Sequence, residues 1–368
     1  MNEHLSWELP ARRSPRRGLR SRHFLARFIS VRSFLDFEKI LGRSMNARTR
    51  VCVGVCTIQR PAMLERCLQS LAAQESPDDL DLHILVVDND ATPSAKPIVG
   101  KVASNSRFPI HYHHEPRRGI PMARNRVLEE ALSLGAEWLV FIDDDQTARP
   151  SWVIGHLLVA CRDKADAVQP RVIVTYPEPA PFWCTPTPQD LAEGGVDGPV
   201  ENRRRKTVAT NGVMMSTRLI RPDGMGLRFN ESLALCGGED GEFFETANRL
   251  GAHLVTSCLP VVTEESHRSR YSYLRYSLKG FAYGGSYVTR YRLKYGRWAA
   301  VRRYSAVSAV RALRGAGQLL ISPVFVPFAM RRFKFTALEG GRNIFFAAGT
   351  IGGLFSLQYE FYRQIDGD

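Results

Sequence analysis

The run Asp143-Asp144-Asp145 follows the apolar stretch Trp138-Leu139-Val140-Phe141-Ile142 and precedes Gln146-Thr147-Ala148-Arg149-Pro150. This pattern reads as a buried strand that delivers three carboxylates to its end. An unpaired ionised carboxylate is costly to bury, so acids in such a place are paired or hold a cation. Side chains alternate along extended backbone, which predicts Asp143 and Asp145 on one face and Asp144 on the other. Two hard oxygen ligands on one face suit Mg²⁺ or Mn²⁺. Taken alone, the triplet reads more readily as a solvated acidic loop, so its neighbours must decide.

Strand-like and helix-like segments alternate from residue 50 to about 265, the pattern of a mostly parallel sheet covered by helices. Val51 to Cys56 is the first strand, ended by Thr57-Ile58-Gln59-Arg60-Pro61. A helix follows from Ala62 to Ala73, with Met63, Cys67, Leu68 and Leu71 at helical spacing. Leu82 to Val87 is a strand closed by Asp88-Asn89-Asp90, and Ile110 to His113 is a third. The loop Glu115 to Gly119 leads to a helix starting near Pro121, and the fourth strand ends at the triplet. Residues 177 to 200 read as a long loop and Val208 to Ser216 as a strand carrying Asn211 and Gly212. Glu239-Asp240 opens a helix to about Leu250, with Gly251 as its C-terminal cap. Leu254 to Val262 is the last strand, ending in Glu264-Glu265-Ser266-His267.

Acids thus stand at the carboxyl ends of two strands, Asp88 and Asp143, on the edge where open α/β sheets bind ligands. Neither a Gly-x-Gly-x-x-Gly after the first strand nor a Walker lysine loop occurs, so a nucleotide would be held by acids, arginines and a metal. Glu239 and Asp240 lie in the first turn of a helix, which favours their charged forms. Ordinary helix capping explains these two acids equally well, and a lone His267 is more often a packed or surface residue than a ligand.

The chain carries 50 Lys+Arg against 37 Asp+Glu, a net +13, which favours an anionic partner. Its seven cysteines are scattered without zinc or Cys-x-x-Cys spacing, which points to reduced thiols and small buried hydrophobes, Cys52 and Cys56 among them. Residues 1–48 are Arg-rich (Arg12, Arg13, Arg16, Arg17, Arg20, Arg22, Arg27) without a long apolar stretch, and read as a disordered basic arm rather than a secretory signal.

In their order these motifs resemble the family-two glycosyltransferases of GT-A fold. Thr57 to Pro61 is similar to the family's Thr-x-x-Arg-Pro, Val87-Asp88-Asn89 to its second-strand acid, and Gly119 with Ala123-Arg124-Asn125 to its Gly-x-x-x-Ala-Arg-Asn helix. The triplet is similar to its Asp-x-Asp signature and Gly238-Glu239-Asp240 to its Glu-Asp motif. Gly341-Arg342, Gly352-Gly353-Leu354 and Tyr359-Glu360 look like the tail of the succinoglycan-type exopolysaccharide subgroup.

The resemblance covers residues 50 to 270 and implies an α/β GT-A domain over 49–270, followed by a basic, aromatic helical region over 271–368. It implies an inverting transfer from a nucleotide-diphosphate sugar, most often a UDP-sugar, to a glycan or lipid-linked acceptor. Carried over, Thr57, Arg60, Asp88, Asn89, Arg124, Asn125, Asp143, Asp144 and Asn211 would bind the nucleotide-sugar. Asp143, Asp145 and His267 would hold Mn²⁺ or Mg²⁺. Asp240 would be the general base, with Glu239 beside it in the catalytic pair. The chemistry asks for the same parts: a departing diphosphate needs cationic stabilisation, and the acceptor hydroxyl needs a base on the opposite face of the sugar.

From Ser266 to Arg342 there are 13 Arg and 3 Lys against one acid, Glu339. The apolar runs Leu319 to Met330 and Ile344 to Leu357 are too short or too interrupted to span a bilayer, which predicts interfacial contact with an anionic membrane at the cytoplasmic face. Two other classes compete. A sugar nucleotidyltransferase or other two-metal phosphoryl-transfer enzyme also uses paired Asp residues. A noncatalytic nucleic-acid binder explains the charge but leaves Asp88, the triplet and Glu239-Asp240 together without a role.

Overall fold

The computed structural model describes residues 48–77, 79–175, 203–234, 237–266, 273–355 and 357. The basic arm before residue 48, the loop expected over 177–200, Cys236, His267 and Tyr359-Glu360 lie outside the described residues.

Nine strands form one mixed sheet. Three long parallel strands stand together: β1 (Thr49–Thr57), flanked by β2 (Leu80–Asp88) and β4 (Trp138–Asp143), with β3 (Ile110–His114) outside β2. Helices α1 (Pro61–Ala72), α2 (Lys96–Ala103) and α3 (Ile120–Ser133) make the crossovers. Beyond β4 the order continues through β8 (Met214–Ser216), β6 (Ala167–Thr175), β9 (Leu254–Glu265) and β5 (Gln146–Ala148), with β7 (Arg203–Arg205) also on β9. Helix α4 (Trp152–Asp163) packs on β6 and β9, and α5 (Glu239–Arg249) precedes β9. Long parallel ladders carry the sheet, and short antiparallel ones join its two halves.

The first helix buries Met63, Cys67, Leu68 and Leu71, as their spacing predicts, and Leu64 as well. Two expectations fail. Val208 to Ser216 is strand only over its last three residues, because Asn211-Gly212 forms a turn in which Gly212 has φ 86°. The strand before the triplet stops at Asp143, so Asp144 and Asp145 lie in a turn and strand alternation does not order their side chains. The turn exists because the chain must leave β4 to reach β9, which β5 pairs with.

Cys52 and Cys56 sit within β1, their thiols pushed up to about 12 chiefly by burial, as inert packing residues should be. The core continues into an aromatic stack. Phe229 lies edge-on to Phe141 of β4 and stacks on Phe243 of α5 at 4.5 Å, and Phe244 packs edge-on to Phe243. These rings fix the N-terminal end of α5 against the sheet.

Three long helices follow the sheet: α6 (Tyr273–Tyr295), α7 (Arg297–Ile321) and α8 (Met330–Leu354). Helix α6 lies directly on the start of α5. A Cβ at Gly238 would stand 3.1 Å from the Ser286 hydroxyl and one at Gly241 3.0 Å from the Arg290 guanidinium, which also pairs with Glu245 at 2.5 Å.

Gly54 is the closest approach of β1 to α3, since a Cβ there would lie 2.3 Å from Val127 Cγ1. Gly54→Ala is expected to cost about 1–3 kcal/mol by overpacking. Combining it with Val127→Ala should recover part of that loss, which chemical denaturation of the single and double variants would measure.

Candidate active site

Register aligns the acids before any side chain is considered. Thr57 is the partner of Asp88 across β1 and β2, and Cys56 is the partner of Asp143 across β1 and β4. Asp88, Thr57 and Asp143 therefore line one carboxyl edge of three adjacent parallel strands. Helix α1 begins immediately after Arg60, and α3 and α5 are joined at this edge by the Arg124–Glu239 pair.

The triplet divides its work. Asp144 is buried and accepts from the Thr57 hydroxyl at 2.8 Å and from Arg60 at 2.9 Å. Asp145 is 3.9 Å from the same guanidinium. Asp143 is half-buried, and its carboxyl is pushed up to about 7, first by burial and then by the Asp145 charge, with Arg124 opposing and Glu264 adding to the rise. Asp143 and Asp145 are thus close enough for the charge of one to disfavour ionisation of the other.

Arg124 joins this group to the second pair of acids. It is the fifth residue of α3 and donates to Glu239 Oε1 at the head of α5, with both side chains buried. Burial opposes the Arg124 charge, but Glu239, Asp143 and Asp240 outweigh it and hold the group above its ordinary value. Glu239 is raised by burial, with Arg124 pulling it down and Asp240 pushing it up. Asp240 is half-buried and accepts from the Gly241 amide at 2.6 Å.

Other expected site residues turn their hydrogen bonds into the protein. Asp88 is fully buried and accepts from the amides of Asp90 and Ala95 and from the Tyr112 hydroxyl at 3.0 Å, which shapes the loop after β2. Asn89 donates to the carbonyls of Glu115 and Arg117, both at 2.8 Å, and accepts from Gly119, bracing the turn before α3. That turn needs glycine, since Gly119 has φ 147° and a Cβ would meet Met122 and Ala234. Asn125 clamps both backbone groups of Phe229. Asn211 accepts from Gln169 at 3.1 Å.

Among the buried polar atoms without a hydrogen-bond partner are Arg60 Nε, Gln146 Nε2 and Glu239 Oε2, on residues bonded to this group: Arg60 pairs with Asp144, Gln146 accepts from the Asp143 amide and Glu239 pairs with Arg124. Buried polar groups are nearly always satisfied, so such exceptions on these residues suit a polar ligand. Of these three residues Gln146 lines a cavity of about 100 Å³, together with Asp145 and Glu265 among others. Gln146 and Glu264 were not anticipated. The signal for Glu264 was the one used for Asp88 and Asp143, an acid at a strand's end, whereas Gln146 enters only through its strand pairing opposite Glu264.

No group of three His, Cys, Asp or Glu side chains in ligand geometry occurs among the described residues. Asp143 and Asp145 nevertheless suit a hard divalent cation. They are neighbouring carboxylates whose repulsion raises Asp143, and Mg²⁺ or Mn²⁺ is commonly held by one or two carboxylates together with substrate phosphates.

Arg124→Met is expected to cost about 3–5 kcal/mol by stranding Glu239. The sign with pH follows from Glu239, whose folded value already lies above its ordinary 4.5 and rises further without Arg124. The folded state then binds more protons than the unfolded, so the deficit is largest above the folded value and fades toward pH 4.5. Denaturation of wild type and variant across pH 4.5 to 8, together with Arg124→Met/Glu239→Gln, would measure it.

Comparison with known proteins agrees with the geometry. The family model described as Glycosyl transferase family 2 matches residues 52–233. The succinoglycan biosynthesis protein ExoM of Rhizobium meliloti (strain 1021) is 30% identical over 320 residues, covering 85% of this chain and 95% of that protein. Among solved structures, the mannosyltransferase PcManGT of Pyrobaculum calidifontis, in complex with GDP-Man and Mn²⁺, superposes with a TM-score of 0.55 at 17% identity, covering 91% of this chain and 96% of that one. That likeness concerns the fold, which is the GT-A fold expected from the motifs.

Proposed function

Because the chain belongs to glycosyl transferase family 2, we propose that it transfers a sugar, with inversion, from a nucleotide-diphosphate donor of the UDP-sugar type. The acceptor is a hydroxyl of a glycan or lipid-linked glycan in exopolysaccharide or related glycoconjugate assembly. The observation that carries this reading is the set of orphaned atoms Arg60 Nε, Gln146 Nε2 and Glu239 Oε2 around the acids of one sheet edge. Two unmet N–H donors beside Asp143 and Asp145 suit phosphate oxygens, and an unmet carboxylate oxygen near Asp240 suits a sugar hydroxyl.

In this reading Asp143 and Asp145 hold Mn²⁺ or Mg²⁺, with His267 as a further candidate ligand. The ion would supply charge neutralisation for the departing diphosphate. Arg60 and Gln146 donate to the diphosphate, and Thr57 with Asp144 forms the wall beneath it. Asp88, Asn89 and Asn125 shape the nucleotide pocket by holding its loops, while Asn211 lies toward the donor sugar. Arg124 favours the ionised form of Glu239 against its burial and holds α5 in place. Asp240 takes the proton of the acceptor hydroxyl as it attacks the anomeric carbon, the C–O bond to the diphosphate breaks, and the nucleoside diphosphate leaves with the bond electrons. Such an acceptor would be met at the cytoplasmic face of the membrane. No helix among the described residues is long and apolar enough to cross a bilayer.

Asp240→Asn should reduce transfer by about 10²–10⁴-fold while a thermal shift with nucleotide-sugars still reports donor binding; wild-type turnover in this variant would reject Asp240 as the base. Chelation with EDTA should abolish release of nucleoside diphosphate and Mn²⁺ should restore it. Undiminished turnover in EDTA would remove the metal from the mechanism.

A further inference from the structure

Where α7 hands over to α8, apolar side chains crowd into water. Leu320 is 80% exposed and Phe328 87%, and Ile321, Val324, Val326 and Met330 stand exposed around them. The turn that presents them is a built element. Ser322–Phe325 is a 3₁₀ turn with Pro323 in its first positions, and the amides of Val326, Phe328 and Ala329 are bonded to the carbonyls of Pro323 and Phe325. Ser322 is buried and its hydroxyl donates to the Leu319 carbonyl at 3.0 Å. A turn with these polar groups satisfied internally can enter a low-dielectric interface at little cost.

Charge surrounds this tip on one side. Arg314, Arg331, Arg332 and Lys334 are exposed beside it, and Glu339, the single acid between residues 297 and 354, is taken up by Gln318 at 3.0 Å. Gln318 also accepts from Asn343 at 2.9 Å, which locks α7 to α8 above the turn. Glycines bring the three helices into backbone contact: a Cβ at Gly315 would lie 2.7 Å from the Gly340 carbonyl, and one at Gly349 2.0 Å from that of Phe281. Since α6 packs on Gly238 and Gly241 of α5, the tip and Asp240 belong to one packed unit.

We propose that the α7–α8 turn is the element by which this protein enters an anionic lipid surface, with Leu320, Val324 and Phe328 at the headgroup–acyl boundary and Arg314, Arg331 and Arg332 on the headgroups. This rests on the reading that the acceptor is met at a membrane. Charge complementarity together with the apolar tip selects this partner. A nucleic acid would engage the arginines and leave Leu320 and Phe328 in water, and a second copy docked tip to tip would set arginine against arginine. Bound in this way, the helices hold the carboxyl edge of the sheet at a set height over the lipid.

The test uses the full chain with vesicles of phosphatidylcholine, alone or mixed with phosphatidylglycerol. Wild type should sediment with the mixed vesicles, and Leu320→Ser/Phe328→Ser should partition about tenfold more weakly or less with Tm and donor binding unchanged. The emission of Phe328→Trp should shift to shorter wavelength when vesicles are added. If wild type stays in the supernatant, the membrane reading itself falls. If wild type sediments but the double variant sediments equally and the Phe328→Trp emission does not move, the membrane reading stands and the turn is ruled out as its point of entry. If the double variant instead turns a wild-type dimer into a monomer in gel filtration, with vesicle binding unaltered, the turn serves self-association and the proposal is overturned.

Discussion

The buried ion pair of Arg124 with Glu239 is the contact on which the site depends. Arg124 comes from the fifth position of α3 and Glu239 from the first turn of α5, more than a hundred residues later. Burial disfavours the Arg124 charge, which is retained by acids from other elements. Asp143, Glu239 and Asp240 together outweigh its burial. One cation thereby joins the acid at the end of β4 to the two acids that open α5. A buried pair of this sort contributes little net stability, but removing one member is costly, which makes it a device for position.

Around that pair, polar residues of the motifs divide into two kinds. Asp88, Asn89 and Asn125 use their hydrogen bonds to hold the loops after β2, before α3 and at Phe229. Arg60, Gln146 and Glu239 keep one buried atom each unsatisfied. The first kind sets the shape in which the second can meet a ligand without reorganisation, the condition under which electrostatic stabilisation of a transition state is strongest.

The helices beyond the sheet obey different packing rules. Their shared apolar cluster of buried residues is small, Val288, Ala300 and Leu354, and cohesion comes from glycines that let backbones touch. Large apolar side chains are left on the outside, at Trp298, Leu313, Leu320 and Phe328. The ring stack of Phe229 and Phe243 on one side and Ser286 with Arg290 on the other enclose α5, so the helix that opens with Glu239 and Asp240 is held from both the sheet and the helical region.

Sequence by itself determined the strands β1 to β4 with the acids that end β2 and β4, α1, the helix that carries Arg124, the helix that opens with Glu239-Asp240, and the family, because strong periodicity and short-range motif spacing are local properties. Elements whose signals are weak locally were not legible. Strand β6 carries Pro170 inside its run and survives because the proline falls at the shift in register between Gln169 and Arg171. Strands β5 and β8 are three residues each and exist only through partners far along the chain. Only the tertiary structure decided that Asp144 belongs to Thr57 and Arg60 while Asp145 and Glu264 crowd Asp143. Those outcomes depend on which groups share a buried volume, and burial and charge at a site are sums over the whole fold that no single segment contains.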